Sequence, residues 1–260
     1  MKIDKTQETI QMSAFLFITD LDNTFVGDDT ALKTLKHKLT QHREEHGTKI
    51  VYATGRSLFL YRQLEQEKHL LSPDALITSV GTEIYFNPSE EVLDSQWADI
   101  LSQGWDRKQV CEVASQFKEM TPQPESEQNH FKASYFIEEQ VAIEVIPQLK
   151  TALADRGLKT KIIYSGSLDL DILPEKGDKG LAVQYLRQKW SVEAEKTVVC
   201  GDSGNDIALF RGAERGIIVG NAKIELRQWY ETNQTPYRYL AKTHYANGIL
   251  EGLKHFNFLH

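Results

Sequence analysis

The most constraining feature of this sequence is a repeated pattern in which a short apolar run ends in a polar loop. The runs cover residues 15–18, 49–53, 75–80, 197–200 and 216–219. Continuous apolar runs of this length are typical of strands buried on both faces of a parallel sheet. Helical spacing between them, as in residues 30–46, predicts right-handed crossovers. We therefore predict an α/β fold whose polar loops meet at the carboxyl ends of the strands.

The middle of the chain has a different pattern. Residues 132–137, 159–164 and 168–173 are predicted to be strands, and Ser165-Gly166-Ser167 is typical of a hairpin turn between the last two. Pro147 predicts a kink or a late start in the helix expected over residues 141–156. We predict a core made of residues 12–90 and 175–260, with residues 91–174 inserted as an α/β cap that has antiparallel pairing.

Composition excludes several classes of protein. The 260 residues carry a net charge of −7, which argues against a broad surface for nucleic acid or acidic membranes. No apolar run approaches the ~20 residues of a transmembrane helix, and the N-terminus lacks the pattern of a secretion signal. Two distant cysteines make no disulfide framework. We expect a soluble cytoplasmic protein with a frayed segment over residues 2–11, and Met12 is an alternative start.

Two acidic loops follow predicted strands. Asp20 and Asp22 stand two residues apart after the first strand, and such carboxylates persist together most easily with a cation between them. Asp202 and Asp206 share a glycine-containing loop with Asn205, and these hard oxygen ligands suit Mg²⁺. The alternative interpretation of each loop is a turn that only caps a helix.

Two further motifs point to an anionic ligand. Thr54, Gly55 and Arg56 stand before a predicted helix, where a hydroxyl and backbone amides form a natural phosphate cradle. Lys179 begins another predicted helix and would neutralise a carboxylate or a phosphate near the acidic loops. Taken alone, the first motif is more often a helix cap and the second a surface lysine.

In this order and at strand ends, the four motifs resemble those of the haloacid dehalogenase-like phosphatases, which have a Rossmann-like parallel-sheet core and an inserted α/β cap. The resemblance implies that Asp20 is the nucleophile and Asp22 the general acid/base. It implies that Thr54 hydrogen-bonds the phosphoryl group and that Lys179 orients it. The Mg²⁺ ligands would be Asp20, Asp202 and the backbone carbonyl of Asp22, with support from Asp206 and Asn205. Gly55, Arg56 and Asn205 would contact the substrate.

The chain resembles more narrowly the sucrose-phosphate phosphatases of the cyanobacterial type. The segments that carry this likeness are residues 20–24, 52–57, 80–85, 97–99, 127–135, 169–171 and 201–206. The resemblance implies a phosphoric monoester hydrolase that converts sucrose 6-phosphate to sucrose and phosphate through an aspartyl-phosphate, with a sucrose-phosphate synthase as a candidate partner. It implies a cap that holds the glucose unit, for which the candidates are Gln128, Asn129, Lys132 and Tyr135. Glu83 is the candidate contact for fructose.

Three alternatives stay open at this point. The first is a phosphatase for another small sugar phosphate, such as that of glucosylglycerol, mannosylglycerate or trehalose, because only cap residues discriminate among these substrates. The second is a non-catalytic partner of a sugar-phosphate synthase. The third is a phosphosugar mutase on the same core.

Overall fold

A computed structural model describes residues 13–260, so the expectations for residues 2–11 and for Met12 lie outside the described residues. Eleven strands are found there: β1 (Leu16–Thr19), β2 (Lys49–Ala53), β3 (Ala75–Thr78), β4 (Glu83–Tyr85), β5 (Thr121–Pro122), β6 (Ala133–Phe136), β7 (Thr160–Ser165), β8 (Asp169–Pro174), β9 (Thr197–Gly201), β10 (Arg215–Ile218) and β11 (Arg238–Leu240). The helices are α1 (Asp29–His46), α2 (Leu58–Lys68), α3 (Ser95–Leu101), α4 (Arg107–Ala114), α5 (Glu139–Asp155), α6 (Lys179–Trp190), α7 (Ile224–Thr232) and α8 (Tyr245–His255).

The larger sheet has seven strands in the order β11-β10-β9-β1-β2-β3-β4. All neighbouring pairs are parallel except β3 and β4. Side chains of β1 alternate between two apolar layers, because successive residues of a strand point to opposite faces. Phe17 packs in the layer that holds α1 and α8, whereas Ile18 packs in the layer that holds α6 and α7. The predicted Rossmann-like parallel-sheet core is confirmed, and its helices lie on both faces of the sheet.

The smaller sheet has four strands in the order β5-β6-β8-β7, and all of its pairs are antiparallel. Helices α4 and α5 cover it through a separate apolar cluster that includes Val110, Leu149 and Leu170. Helix α3 lies within the predicted insert, yet its Trp97 and Leu101 pack against the larger sheet. The boundaries at residues 91 and 174 therefore stay a prediction.

Two local features differ from the expectations. Helix α5 starts at Glu139 and passes through Pro147, so the late start was wrong. The antiparallel strand β4 had not been predicted, because its three residues are too few for a periodic pattern. Across residues 13–260, every helix is too short or too polar to cross a membrane.

Candidate active site

The acidic loops lie side by side because β1 and β9 are neighbouring parallel strands. Asp20 directly follows β1, and its backbone N–H donates to the carbonyl of Cys200 in β9 at 3.0 Å. Asp202 directly follows β9, and its Oδ1 accepts a hydrogen bond from the Thr24 hydroxyl at 3.1 Å. The sequence therefore places both carboxylates at one edge of the sheet, as predicted.

Lys179 joins Asp20 to a third carboxylate, that of Asp206. Its Nζ, which is fully buried, donates to Asp20 Oδ1 and Asp206 Oδ1, both at 2.7 Å. Lys179 reaches this depth because α6 packs closely on the chain just after the loop of Asp202 and Asp206, which we call the acidic loop. A Cβ atom at Gly180 would lie 2.1 Å from the carbonyl oxygen of Ala208. A side chain at position 180 would push the lysine away from the carboxylates.

Asp206 holds the acidic loop in shape. Its Oδ2 accepts the backbone N–H groups of Asp202 and Ser203 at 3.0 and 3.1 Å. With Oδ1 bound to Lys179, both of its oxygens already have strong donors. Asp206 is therefore suited to positioning Asp202 and Lys179.

The site has more buried negative charge than its lysine can offset. Burial raises the pKa of Asp20 well above its usual range, and the charge of Lys179 opposes this shift only in part. Burial, followed by the charge of Asp206, raises the pKa of Asp202 to about 7. Buried carboxylates of this kind are stabilised as anions by a cation.

This donor set fits a divalent metal. One carboxylate oxygen each from Asp20, Asp202 and Asp206 lies within 4.8 Å of the others, and all three side chains are buried. Mg²⁺ prefers a few carboxylate ligands together with water or phosphate oxygens. The carboxylate of Asp22 lies outside this group, so it is free for another role.

Asp22 is paired with Arg56 instead. Arg56 Nε and one terminal nitrogen donate to the two Asp22 oxygens, each at 2.7 Å, in a bidentate ion pair. The hydrogen bonds that Arg56 donates to Asp22 raise the pKa of Arg56. Both residues line the cleft above Asp20, so the two predicted site residues are brought together at its mouth.

The segment that was predicted to cradle a phosphate, residues 54–56, directly follows β2. Thr54 is fully buried, and its hydroxyl accepts the backbone N–H of Arg56 at 3.1 Å. Gly55 faces Asn205, whose Nδ2 lies 3.5 Å from the position that a Cβ atom of Gly55 would take. Gly55 and Asn205 both line the cleft.

The cleft above Asp20 has a volume of about 340 Å³ and is lined by both sheets. On the side of the smaller sheet, Lys132 is almost fully buried, with Nζ 3.6 Å from Asp171 and 4.0 Å from Glu127. Asp171 also accepts the Ser134 hydroxyl at 2.5 Å. Burial raises the pKa of Glu127, although Lys132 opposes the shift. This polar group faces the acidic loops across the cleft.

Four predicted sugar contacts lie outside the cleft lining as the structure describes it. Glu83 accepts the hydroxyls of Thr78 and Ser79 at 2.7 and 3.1 Å. Gln128 bonds the backbone of Ser134 through both ends of its amide, and Tyr135 packs in the apolar cluster of the smaller sheet. Asn129 donates to Thr82 at 3.1 Å and so links the two sheets.

Other lining residues had not been predicted as site residues. Asp169 and Asp171 line the cleft because alternate residues of β8 share one face. Their acid–apolar–acid pattern was a usable signal in the sequence. Glu127 and Lys223 also line the cleft, but each stands in a loop where no periodic pattern marks it. These positions depend on how the two sheets meet, which the sequence does not encode locally.

The backbone beneath the cleft is strained. Ser79 and Val80 both have left-handed φ values, 51° and 61°, and Val80 lines the cleft. A β-branched residue rarely adopts this conformation, and such strain concentrates at functional sites. The backbone N–H of Val80 donates to the carbonyl of Thr54 at 3.1 Å, which fixes the two loops together.

A doubly wound sheet, an Asp-x-Asp loop after β1 and a buried lysine among acidic loops define a haloacid dehalogenase-like protein, and solved structures of that class share this fold. Within the class, the family model for sucrose-6F-phosphate phosphohydrolase matches residues 13–257. The chain therefore belongs to the sucrose-6F-phosphate phosphohydrolase family.

Three relatives illustrate the match. The sucrose-phosphatase of Synechocystis sp. PCC6803, solved with sucrose and phosphate, is 43% identical with a TM-score of 0.89, covering 96% of this chain and all of that one. Probable sucrose-phosphatase 2 of Arabidopsis thaliana is 41% identical over 93% of this chain, which spans only 59% of the plant protein. The mannosylfructose-phosphate phosphatase of Agrobacterium fabrum is 32% identical over 93% of this chain and 96% of its own length.

Proposed function

We propose that this chain is a phosphoric monoester hydrolase that converts sucrose 6-phosphate to sucrose and phosphate through an aspartyl-phosphate on Asp20. One observation carries the proposal: the Asp20 carboxylate, held by Lys179, faces a cleft whose opposite wall is the polar group around Lys132. Reactive and sugar-recognising side chains thus share one enclosed space.

In the first step, the Asp20 oxygen that Lys179 leaves free attacks phosphorus, and the bond from phosphorus to the sugar oxygen breaks. The Asp22–Arg56 ion pair must open as the substrate enters, and the freed Asp22 carboxylate takes up a proton from solvent. Asp22 then gives this proton to the leaving oxygen as the bond from that oxygen to phosphorus breaks. In the second step, Asp22 takes a proton from water, which attacks phosphorus and releases phosphate from Asp20.

Other groups stabilise the negative charge of the phosphoryl group during its transfer. Lys179 offsets the negative charge of Asp20 and of the phosphoryl group. The proposed donors to phosphoryl oxygens are Gly55 and Asn205, which line the cleft, and Thr54, whose hydroxyl lies beside the backbone of Arg56. We propose Mg²⁺ as the metal, held by Asp20, Asp202 and the backbone carbonyl of Asp22. When bound, it would neutralise charge on the phosphoryl oxygens.

The proposed sugar contacts are the polar residues of the smaller sheet that line the cleft: Gln123, Glu127, Lys132, Asp169 and Asp171. Carboxylates and ammonium groups in a partly buried wall are well suited to sugar hydroxyls. We also propose that the reaction takes place in the cytoplasm and that a sucrose-phosphate synthase supplies the substrate.

The test is phosphate release from sucrose 6-phosphate, with Mg²⁺ or with a chelator, beside the phosphates of glucosylglycerol, mannosylglycerate and trehalose. Asp20→Asn is expected to reduce turnover on the order of 10⁴-fold or more. The matched control is Asp99→Asn, because Asp99 is exposed. Absence of phosphate release by the folded wild type from every ester would overturn the proposal.

Mannosylfructose phosphate is the second candidate substrate, because the Agrobacterium relative matches this chain over nearly its whole length. Both substrates are disaccharide phosphates, so the phosphate end of the site would act identically. A higher kcat/KM for mannosylfructose phosphate than for sucrose 6-phosphate would favour this candidate.

A further inference from the structure

The first turn of α7 touches both sides of the cleft. Glu225 Oε1 accepts the backbone N–H of Gly204, in the acidic loop, at 3.3 Å. The same oxygen accepts the backbone N–H of Gly166, in the turn between β7 and β8, at 3.4 Å. One carboxylate oxygen therefore joins the loop of Asp202 to the turn of the smaller sheet.

Lys223, which precedes α7, reinforces this junction. Its backbone N–H donates to the carbonyl of Asp202 at 2.7 Å. Its Nζ lies 3.0 Å from the position that a Cβ atom of Gly166 would take, and Asp169 Oδ2 lies 3.7 Å from that position. Burial raises the pKa of Asp169 and of Asp202, and the charge of Lys223 opposes both shifts in part.

The backbone of Gly204 closely approaches both Glu225 and the backbone of β7. A Cβ atom at Gly204 would lie 3.0 Å from Glu225 Cγ and 3.2 Å from the carbonyl oxygen of Tyr164 in β7. Glycine at positions 166 and 204 thus lets the turn seat directly on the acidic loop. This contact is possible only while the smaller sheet is closed over the larger one.

We propose that Glu225 is a positioning residue that couples the β7–β8 turn to the acidic loop. Through its carboxylate, the geometry of the loop that carries Asp202 depends on contact with this turn. When the turn moves away, Glu225 loses one of its two donors, and the acidic loop loses its support from the cap side. Asp202 then has its productive geometry mainly when the cleft is closed. The effect on catalysis rests on the function proposed above, whereas the coupling itself is a property of the fold.

A purely local role predicts different behaviour. If Glu225 only stabilised α7, its loss would lower thermal stability and reduce turnover of all esters by the same factor. If Glu225 couples the turn to the acidic loop, its loss instead lowers kcat/KM more for substrates that need a closed cap than for small substrates that do not. The ratio of kcat/KM for sucrose 6-phosphate to that for p-nitrophenyl phosphate therefore separates the two roles.

The experiment compares Glu225→Ala and Glu225→Gln with Glu231→Ala, an exposed glutamate on the same helix. We expect the alanine variant to lower that ratio about tenfold, the effect of losing a hydrogen bond to a charged group. It should also raise the Mg²⁺ concentration that gives half-maximal activity. The glutamine variant keeps an acceptor oxygen and should recover most of both losses, and Glu231→Ala should change neither.

Hydrogen exchange of the protein gives an independent measurement. The amides of Gly166 and Gly204 should exchange faster together in Glu225→Ala and remain protected in Glu231→Ala. Unchanged exchange and an unchanged substrate ratio would overturn the proposal. If wild-type protein fails to hydrolyse sucrose 6-phosphate, the proposed function fails, while the exchange experiment still decides the role of Glu225.

Discussion

At the scale of single residues, the site separates two acids that stand only two positions apart in the sequence. Asp20 is buried and bound to Lys179, whereas the side chain of Asp22 is 45% exposed and bound to Arg56. The turn of the chain after β1 directs the Asp20 carboxylate to the buried group around Lys179 and the Asp22 carboxylate to Arg56 in the cleft lining. This separation suits one residue to attack phosphorus and the other to exchange protons.

Replacement of Asp22 by asparagine should therefore spare metal binding. We expect Asp22→Asn to lower kcat roughly 10²- to 10⁴-fold, because an amide cannot transfer the proton. The Mg²⁺ dependence of thermal stability should stay close to that of the wild type. Loss of Mg²⁺ binding as severe as in Asp202→Asn would show that the Asp22 side chain belongs to the metal site.

Asp202 predicts how metal binding depends on pH. Its pKa is about 7 in the folded chain, against about 3.9 in an unfolded one. Since the folded value is raised, the group contributes stability below pH ~3.9 that is lost as the pH rises through about 7. Mg²⁺ must displace the proton, so its affinity should fall about tenfold per pH unit below that value.

Thermal unfolding with and without Mg²⁺ measures this effect. The rise in Tm on adding Mg²⁺ should be larger at pH 8 than at pH 5.5. The control is Asp202→Asn, in which the rise should be small at both values. An equal rise for the wild type at both pH values contradicts a protonated Asp202.

At the scale of elements, the sequence predicted the strands that an apolar pattern marks. It did not predict the side-chain positions that depend on contacts between elements. The buried strands β1, β2, β3, β9 and β10 were predicted because continuous apolar runs mark them, and their polar ends identified Asp20, Thr54 and Asp202. The sugar side of the cleft was harder. Tyr135 and Gln128 were predicted there, but Tyr135 packs in the apolar cluster of the smaller sheet and the half-buried Gln128 bonds the backbone of Ser134.

The pairing of β11 with α8 illustrates an element junction that depends on one carboxylate. Glu251 of α8 accepts hydrogen bonds from the Tyr239 hydroxyl at 2.7 Å, the Lys242 N–H at 3.0 Å, and the hydroxyl and N–H of Thr243 at 2.6 and 2.9 Å. Burial alone would raise the pKa of Glu251, but these donors lower it to about 2. The anion therefore fixes the loop that precedes α8.

Glu251→Gln should lower the free energy of unfolding by about 1 kcal/mol at pH 7, because the amide replaces an anionic acceptor. The folded pKa is depressed, so the wild-type contribution is present above pH ~4.3 and is lost as the pH falls towards 2. Urea unfolding should show a smaller difference between the two proteins at pH 3 than at pH 7. Glu195→Gln, at an exposed position, is the control. A difference that is independent of pH would assign the effect to packing.

At the scale of the whole molecule, the two sheets contribute different groups to the cleft. The larger sheet carries the groups proposed for phosphoryl transfer, and the smaller sheet carries the polar wall that faces them. Contacts such as Asn129 with Thr82 and Ser57 with Glu127 cross between them. Changes in the wall should therefore alter which ester is hydrolysed, while changes beneath Asp20 should alter every ester.

Glu127 tests this division, since it lines the cleft, lies 4.0 Å from Lys132 and contributes nothing to the group around Asp20. Glu127→Gln keeps the shape of the side chain but removes its charge. We expect kcat/KM for sucrose 6-phosphate to fall about tenfold, consistent with loss of one charged hydrogen bond to a sugar hydroxyl. Turnover of p-nitrophenyl phosphate should change less than twofold. Glu125→Gln, an exposed glutamate of the same turn, should change neither value. An equal fall for both esters in Glu127→Gln would mean that the wall acts on the chemistry itself, because a residue that only recognises the sugar cannot slow an ester that has none.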